Sequence, residues 1–175
     1  SGLAVQNIES IVNYCGWHLH TIVINWEEMK DLQLAYLKSG IANQDVPQDH
    51  AFFATMYKFA SKHNIKYILT GGNYATECIR NPLEWMWYQS DSIQLRNIHR
   101  KFGTVPLKKF PVTYILWHKV YLPYVRDIKL KRPLDFIEYD KEKATQELVK
   151  EYGYQRYPQK HFESRFTRFY EGYWL

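Results

Sequence analysis

Apolar residues recur at helical spacing from the start of the chain. Leu3, Ala4, Ile8, Ile11, Val12 and Cys15, followed by Gly16 as a stop signal, predict an amphipathic helix. Residues 19–25 (LHTIVIN) are few and rich in β-branched side chains, which predicts a strand. In WEEMKDLQLAYLKSG the acidic residues come early, with Lys38 and Gly40 late, the order that a helix dipole favours. After a loop, GIANQDVPQ, a second helical pattern begins at Asp49, runs through Phe52, Phe53, Met56, Tyr57, Phe59 and Ala60, and ends near His63. The run KYIL then reads as another strand. Helices alternating with plain apolar strands are the rhythm of an α/β domain with a parallel sheet, whose strands are buried on both faces.

Beyond residue 80 the rhythm changes. NPLEWMWYQSD is an aromatic loop and SDSIQLRNIHRKFG a predicted helix; TYILWHKVYLPYVRDI is a longer one, with Pro123 as its expected kink. A further helix is expected from about Asp140 to Tyr152. The last, from about Gln159, stacks Phe162, Phe166, Phe169 and Tyr173 on one face. Two strands are too few for a parallel α/β sheet, and the first element is a helix. The pattern therefore predicts an α/β fold incomplete at its amino end, with further strands upstream and a mostly helical carboxyl-terminal part.

Composition narrows the class. With 46% hydrophobic and 17% aromatic residues, the chain has the material for a filled core. No apolar run approaches the roughly 20 residues of a membrane-spanning helix, and no basic, apolar leader opens the sequence. A soluble cytoplasmic protein without membrane insertion is the expectation. Cys15 and Cys78 match neither a disulfide framework nor a zinc site and are expected to be buried thiols. Charge is uneven: residues 90–132 carry ten basic side chains against Asp91 and Asp127, while the rest carries thirteen basic against sixteen acidic. Such a segment suits an anionic partner or a solvated face.

Candidate chemistry follows from position. In open α/β sheets ligands sit beyond the carboxyl ends of the strands. Gly71 and Gly72 occupy that place, where glycine permits positive φ and close approach of a ligand to backbone N–H groups; a tight turn without a ligand is the alternative. Asn73 and Glu77 are the polar groups nearest. Asp49 and His50 begin the helix leading into this strand and are expected at the same sheet edge, with helix capping as the other reading of Asp49. His161, Arg165 and Arg168 form one helical stripe beside the phenylalanines, placed for an anion or for solvent. Trp85, Trp87 and Tyr88 suit core packing better than stacking on a ring.

Taken together, INWEEMKDLQLAYLKSG, QDHAFFATMYKFASKHNIKYILTGGNYATE, IHRKFGT and QKHFESRFTRFYEGYWL resemble the N-acetyl-sugar amidotransferases of bacterial surface-polysaccharide biosynthesis, in the PP-loop ATP pyrophosphatase superfamily. The similarity covers essentially all 175 residues. It implies an adenine nucleotide alpha hydrolase-like parallel sheet, with residues 1–80 as part of the nucleotide-binding domain and 81–175 as a helical substrate or cap region. It also implies ATP, with Mg²⁺, activating the acetamido oxygen by adenylation. Ammonia then replaces that oxygen, giving an acetamidino sugar for lipopolysaccharide O-antigen.

Under that resemblance Thr70, Gly71, Gly72 and Asn73 line the nucleotide pocket, and Glu77, Asp49 and His50 serve catalysis. His161, Arg165 and Arg168 contact the sugar or its nucleotide diphosphate, with no resident metal site. The implied partners are a glutaminase subunit and a cyclase-like subunit, resembling those of imidazole-glycerol-phosphate synthase, and a nucleotide-linked N-acetyl sugar; nucleic acid is not among them. The chain departs from the family in lacking the Ser-Gly-Gly-x-Asp-Ser pyrophosphate loop and the Cys-rich amino-terminal segment, and family members continue past FYEGYWL, so it is expected to be an internal fragment, inactive alone. A PP-loop tRNA-modifying enzyme and a non-catalytic nucleotide- or sugar-binding module are the alternatives.

Overall fold

The amino-terminal periodicity folds as α1 (Gly2–Cys15). It is followed by α2 (Trp26–Ser39), where Asn25 accepts the Glu28 N–H at 3.0 Å as the N-cap and Gly40, at φ 67°, closes the helix. α3 (Val46–Lys62) starts three residues ahead of the expected Asp49, because Pro47 fits a first turn whose N–H groups need no helical partner. The chain then forms β1 (Tyr67–Leu69), α4 (Ser92–Phe102), a π-helical segment (Trp117–Val125), β2 (Lys129–Lys131), a 3₁₀ turn (Pro133–Phe136) and α5 (Lys141–Tyr152). This is a computed structural model, and it describes residues 2–75, 87–157 and 166–169.

The protein is mostly helical, with one small sheet in which β1 and β2 run parallel. The register pairs Tyr67 with Lys129, Ile68 with Leu130 and Leu69 with Lys131. Thr70 N–H extends the ladder to Lys131 O at 3.0 Å.

Three expectations change. Residues 19–25 join no ladder among the described residues; a strand exists only through its cross-strand hydrogen bonds, and β-branched composition cannot supply a neighbour. Lys129–Lys131, just past an expected helix and not read as a strand, is the strand that β1 finds. The helix expected over 113–128 widens into π geometry around Pro123, which has no N–H to give the ladder; Arg126 N–H returns five residues, to Tyr121 O at 3.0 Å.

The strands are also more exposed than a doubly covered parallel sheet requires, Tyr67 being 59% and Leu69 70% accessible. Cys15 is half-buried rather than buried, and Cys78 lies outside the described residues. Trp87 and Tyr88 are exposed, against the core packing expected of them; Trp85 is outside the described residues. No helix among the described residues is long and apolar enough to cross a membrane.

The chain divides into two compact units. One, from Ile22–Gly72 and Ile79–Pro133, holds the sheet and both hydrophobic clusters. Leu32, Ala35 and Tyr36 of α2 meet Val46 and Ala51 of α3, Leu95 and Ile98 of α4, and Phe110. Each fully buried leucine here contributes about 2 kcal/mol. A second cluster joins Tyr57 and Ala60 of α3 to Leu122 and Ile128, with Ile68 of β1 packed against it.

The same unit ties its long loop after α4 to α2 through two carboxylates spaced i, i+3. Glu28 is buried and accepts N–H bonds from Lys109 and from Phe110, the latter at 2.7 Å. Asp31 accepts the Thr104 hydroxyl at 2.6 Å and the N–H groups of Thr104 and Val105. Burial raises the pKa of Asp31, but the Thr104 hydroxyl, these amides and His99 more than offset it, leaving it lowered.

The other unit comprises Ser1–Thr21, Asn73–Cys78 and Leu134–Leu175. Buried Asn7 of α1 exchanges two hydrogen bonds with the backbone of Gln155, at 2.9 and 2.8 Å, and Tyr14 lies 4.3 Å from Tyr152. Asp140 caps α5 through the N–H groups of Glu142 and Lys143, and Gly153 ends it at φ 68°.

Candidate functional site

β1 follows α3 through a tight turn. Asn64, at φ 54°, turns the chain, and Ile65 N–H returns to Ala60 O at 2.9 Å. Ile68 of β1 packs against the cluster that holds Tyr57 and Ala60 of α3.

Beyond β1, the Thr70 hydroxyl accepts the Gly72 N–H at 3.2 Å, a local side-chain-to-backbone bond of the kind that shapes turns. Gly71 does not use a left-handed conformation; its role is open space, since a Cβ there would meet nothing within 4 Å. This corrects the positive-φ expectation at Gly71.

At the other locus, Asp49 and His50 grip the same residue. Asp49 Oδ2 accepts from Gln89 Nε2 at 2.6 Å, while His50 Nδ1 lies 2.7 Å from Gln89 O. Thr113 N–H donates to His50 Nε2 at 3.1 Å, which fixes the tautomer: Nδ1 carries the proton and Nε2 is the acceptor. His50 is fully buried, and burial lowers its pKa from the ordinary 6.5. With both nitrogens held by backbone, the imidazole is a neutral strut joining residues 89 and 113.

Asp49 is different. Burial, then the charge of Asp45 one turn earlier, push its pKa up to about 6 against the opposing Gln89 bond. A half-buried carboxyl poised there can hold or release a proton near neutrality. It lies inside the first turn rather than at the cap, which is Asp45.

A second histidine is built similarly: His118 Nε2 lies 2.9 Å from the Tyr57 hydroxyl, their rings 4.5 Å apart, and burial lowers the His118 pKa while raising that of Tyr57.

Of the other expected site residues, Asn73 is buried and belongs to the second unit. Arg168 is exposed in a short helical stretch, 166–169, of that unit. Glu77, His161 and Arg165 lie outside the described residues. The structure brings Asp49 and His50 together on Gln89, and Thr70, Gly71 and Gly72 belong to the same unit. Gln89 and Thr113 carry no sequence signal of their own; they enter through contacts 40 and 63 residues away along the chain. No family model, curated protein or solved structure matches the chain.

Proposed function

We propose that this chain is part of an ATP-dependent amidotransferase that converts the acetamido group of a nucleotide-linked N-acetyl sugar to an acetamidino group, for lipopolysaccharide O-antigen. The observation that carries the reading is Asp49, a half-buried carboxyl whose pKa is pushed up to about 6, in the unit that also holds Thr70, Gly71 and Gly72 at the carboxyl end of a parallel strand. Bound there, ATP would supply a phosphate ester in place of an amide oxygen that is otherwise a poor leaving group.

The position fits such a group in one respect: Gly71 carries no side chain, and a Cβ there would meet nothing within 4 Å. Asp49 takes the proton released as the attacking nitrogen loses charge, and its raised pKa suits that role. His50 positions Gln89 and Thr113 rather than moving a proton. Asn73 remains assigned to the nucleotide, Glu77 to catalysis, and His161, Arg165 and Arg168 to the anionic sugar or its diphosphate. Magnesium with the nucleotide, a glutaminase with its cyclase-like companion and a cytoplasmic setting complete the reading.

The test is ATP–pyrophosphate exchange by the intact protein that carries this chain, against a panel of nucleotide-linked N-acetyl sugars and bulk tRNA. Exchange that requires one sugar supports the assignment. Exchange that requires tRNA moves the protein to the tRNA-modifying class, and nucleotide binding without any exchange leaves a binding module.

A further inference from the structure

The π-helical segment is apolar on more than the side it buries. Trp117 and Leu122 pack into the second cluster, and His118 lies against Tyr57. Another side carries Leu116, Val120, Tyr121, Tyr124 and Val125, which recur every four to five residues as an i to i+5 turn allows. All five are exposed, Leu116 at 75% and Tyr124 at 82%. A contiguous apolar face left in water marks a place of contact.

The unit that holds this face is strongly basic, with sixteen basic side chains against eight acidic over residues 22–72 and 79–133. From Ser92 to Arg126 there are seven basic residues and no acid. Of the acids elsewhere in the unit, Glu28 and Asp31 hold backbone amides of the long loop, Asp91 caps α4, and Asp127 pairs with Lys129 at 2.8 Å. Cations bracket the apolar face. Arg96 donates to the Tyr114 hydroxyl at 3.1 Å, just ahead of Leu116, and stands over that ring. Lys119 is exposed within the segment and forms no ion pair among the described residues. Arg126 follows Val125, with Lys66 Nζ on its carbonyl at 2.8 Å.

Charge and apolarity together select the occupant. A second copy would set one excess of positive charge against another. Nucleic acid matches the charge but offers nothing to Leu116, Val120 and Val125. An anionic bilayer supplies both: a continuous negative surface for cations that have no acid among them, and an apolar layer beneath it for aliphatic side chains, with tyrosine rings favoured at headgroup depth. We propose that the exposed side of residues 116–125 seats on the surface of an anionic lipid bilayer, lying on it rather than crossing it. The inference uses none of the residues assigned to the amidotransferase reading and does not rest on it.

The experiment sediments the full chain with vesicles of phosphatidylcholine, alone or mixed with phosphatidylglycerol. Binding to the anionic vesicles is expected to be about tenfold tighter or more, and to weaken as salt rises. Leu116→Ser combined with Tyr124→Ser, both at exposed positions, should weaken it about tenfold with the urea midpoint unchanged. Lys119→Gln should weaken it about fivefold, the share of one basic side chain at such a surface. Binding to neither vesicle, equal binding to both, or full binding by the paired serine variant would overturn the proposal. Two further outcomes would overturn it if the serine changes abolish them: self-association, which gives the face to a second copy, and capture of polyglutamate in preference to the anionic vesicles, which gives it to an acidic protein.

Discussion

Asp49 and His50, adjacent on α3, hold opposite ends of Gln89: the carboxylate takes the side-chain amide at 2.6 Å and the imidazole takes the backbone carbonyl at 2.7 Å. Both are displaced from their ordinary titration, and their effects on stability oppose each other. Asp49 has a folded pKa of about 6 against 3.8. Its contribution is therefore fully present below pH 3.8 and is lost as pH rises through about 6. His50 has a folded pKa below 6.5, so its contribution is fully present above pH 6.5 and is lost as pH falls through the folded value. Asp49→Asn should stabilise the protein at pH 7 by about 1 to 2 kcal/mol, after allowing for solvent screening, and leave a steeper acid-side loss. Urea unfolding from pH 4 to 8 measures both; an unchanged profile in the variant would place Asp49 in a more solvated setting.

Gly103 is required by His99. A Cβ at residue 103 would lie 2.6 Å from His99 Nε2 and 2.7 Å from His99 O. That ring nitrogen also contacts Val105 O at 2.8 Å and Asp31 Oδ2 at 3.3 Å. Gly103→Ala should destabilise by about 2 to 3 kcal/mol through overpacking and loss of these contacts. In a His99→Ala background the same change should cost clearly less. Equal costs in the two backgrounds would show that the ring is not what excludes the methyl group.

The part of this fold legible in the sequence is its local part. Acids ahead of Lys38 and Gly40 marked α2, and the structure places its end at Gly40; α5 begins one residue past the expected Asp140, which is its cap. Helices answer to contacts within four residues, so their signals lie in the sequence window that reports them. Strands do not. Residues 19–25 have strand composition and no ladder, whereas Lys129–Lys131 has weak strand composition and pairs with β1. The candidate site divides in the same way. Asp49 and Gly71 stood out by position, but the partners that set Asp49 and His50 to their states, Gln89 and Thr113, arrive through tertiary contact alone.

Arg126 fastens the end of the π-helical segment to the turn before β1. Its guanidinium donates to Ser61 O at 2.7 Å and Asn64 Oδ1 at 2.8 Å, and Lys66 Nζ donates to its carbonyl at 2.8 Å. Both bonds leave one nitrogen, Nη2, at the tip of a side chain one bond longer than lysine's, so a lysine ammonium falls short of the two acceptors. Arg126→Lys should therefore cost about 1 kcal/mol and speed amide exchange in β1 more than in α2. Uniform acceleration across the unit would mean that the contact acts only on global stability.

Glu28 provides the sharpest test of how the unit's long loop is held. Its buried carboxylate is acceptor-only, and the N–H groups of Lys109 and Phe110 point at it from a segment 81 and 82 residues away. Glutamine has nearly the same shape, but it loses the charge and turns one end into a donor facing other donors. Glu28→Gln should destabilise by about 2 to 4 kcal/mol, the sum expected for weakened charge-assisted bonds and a buried donor left unmet. Chemical denaturation measures the loss; an unchanged midpoint would mean that the loop is held by contacts other than those with Glu28.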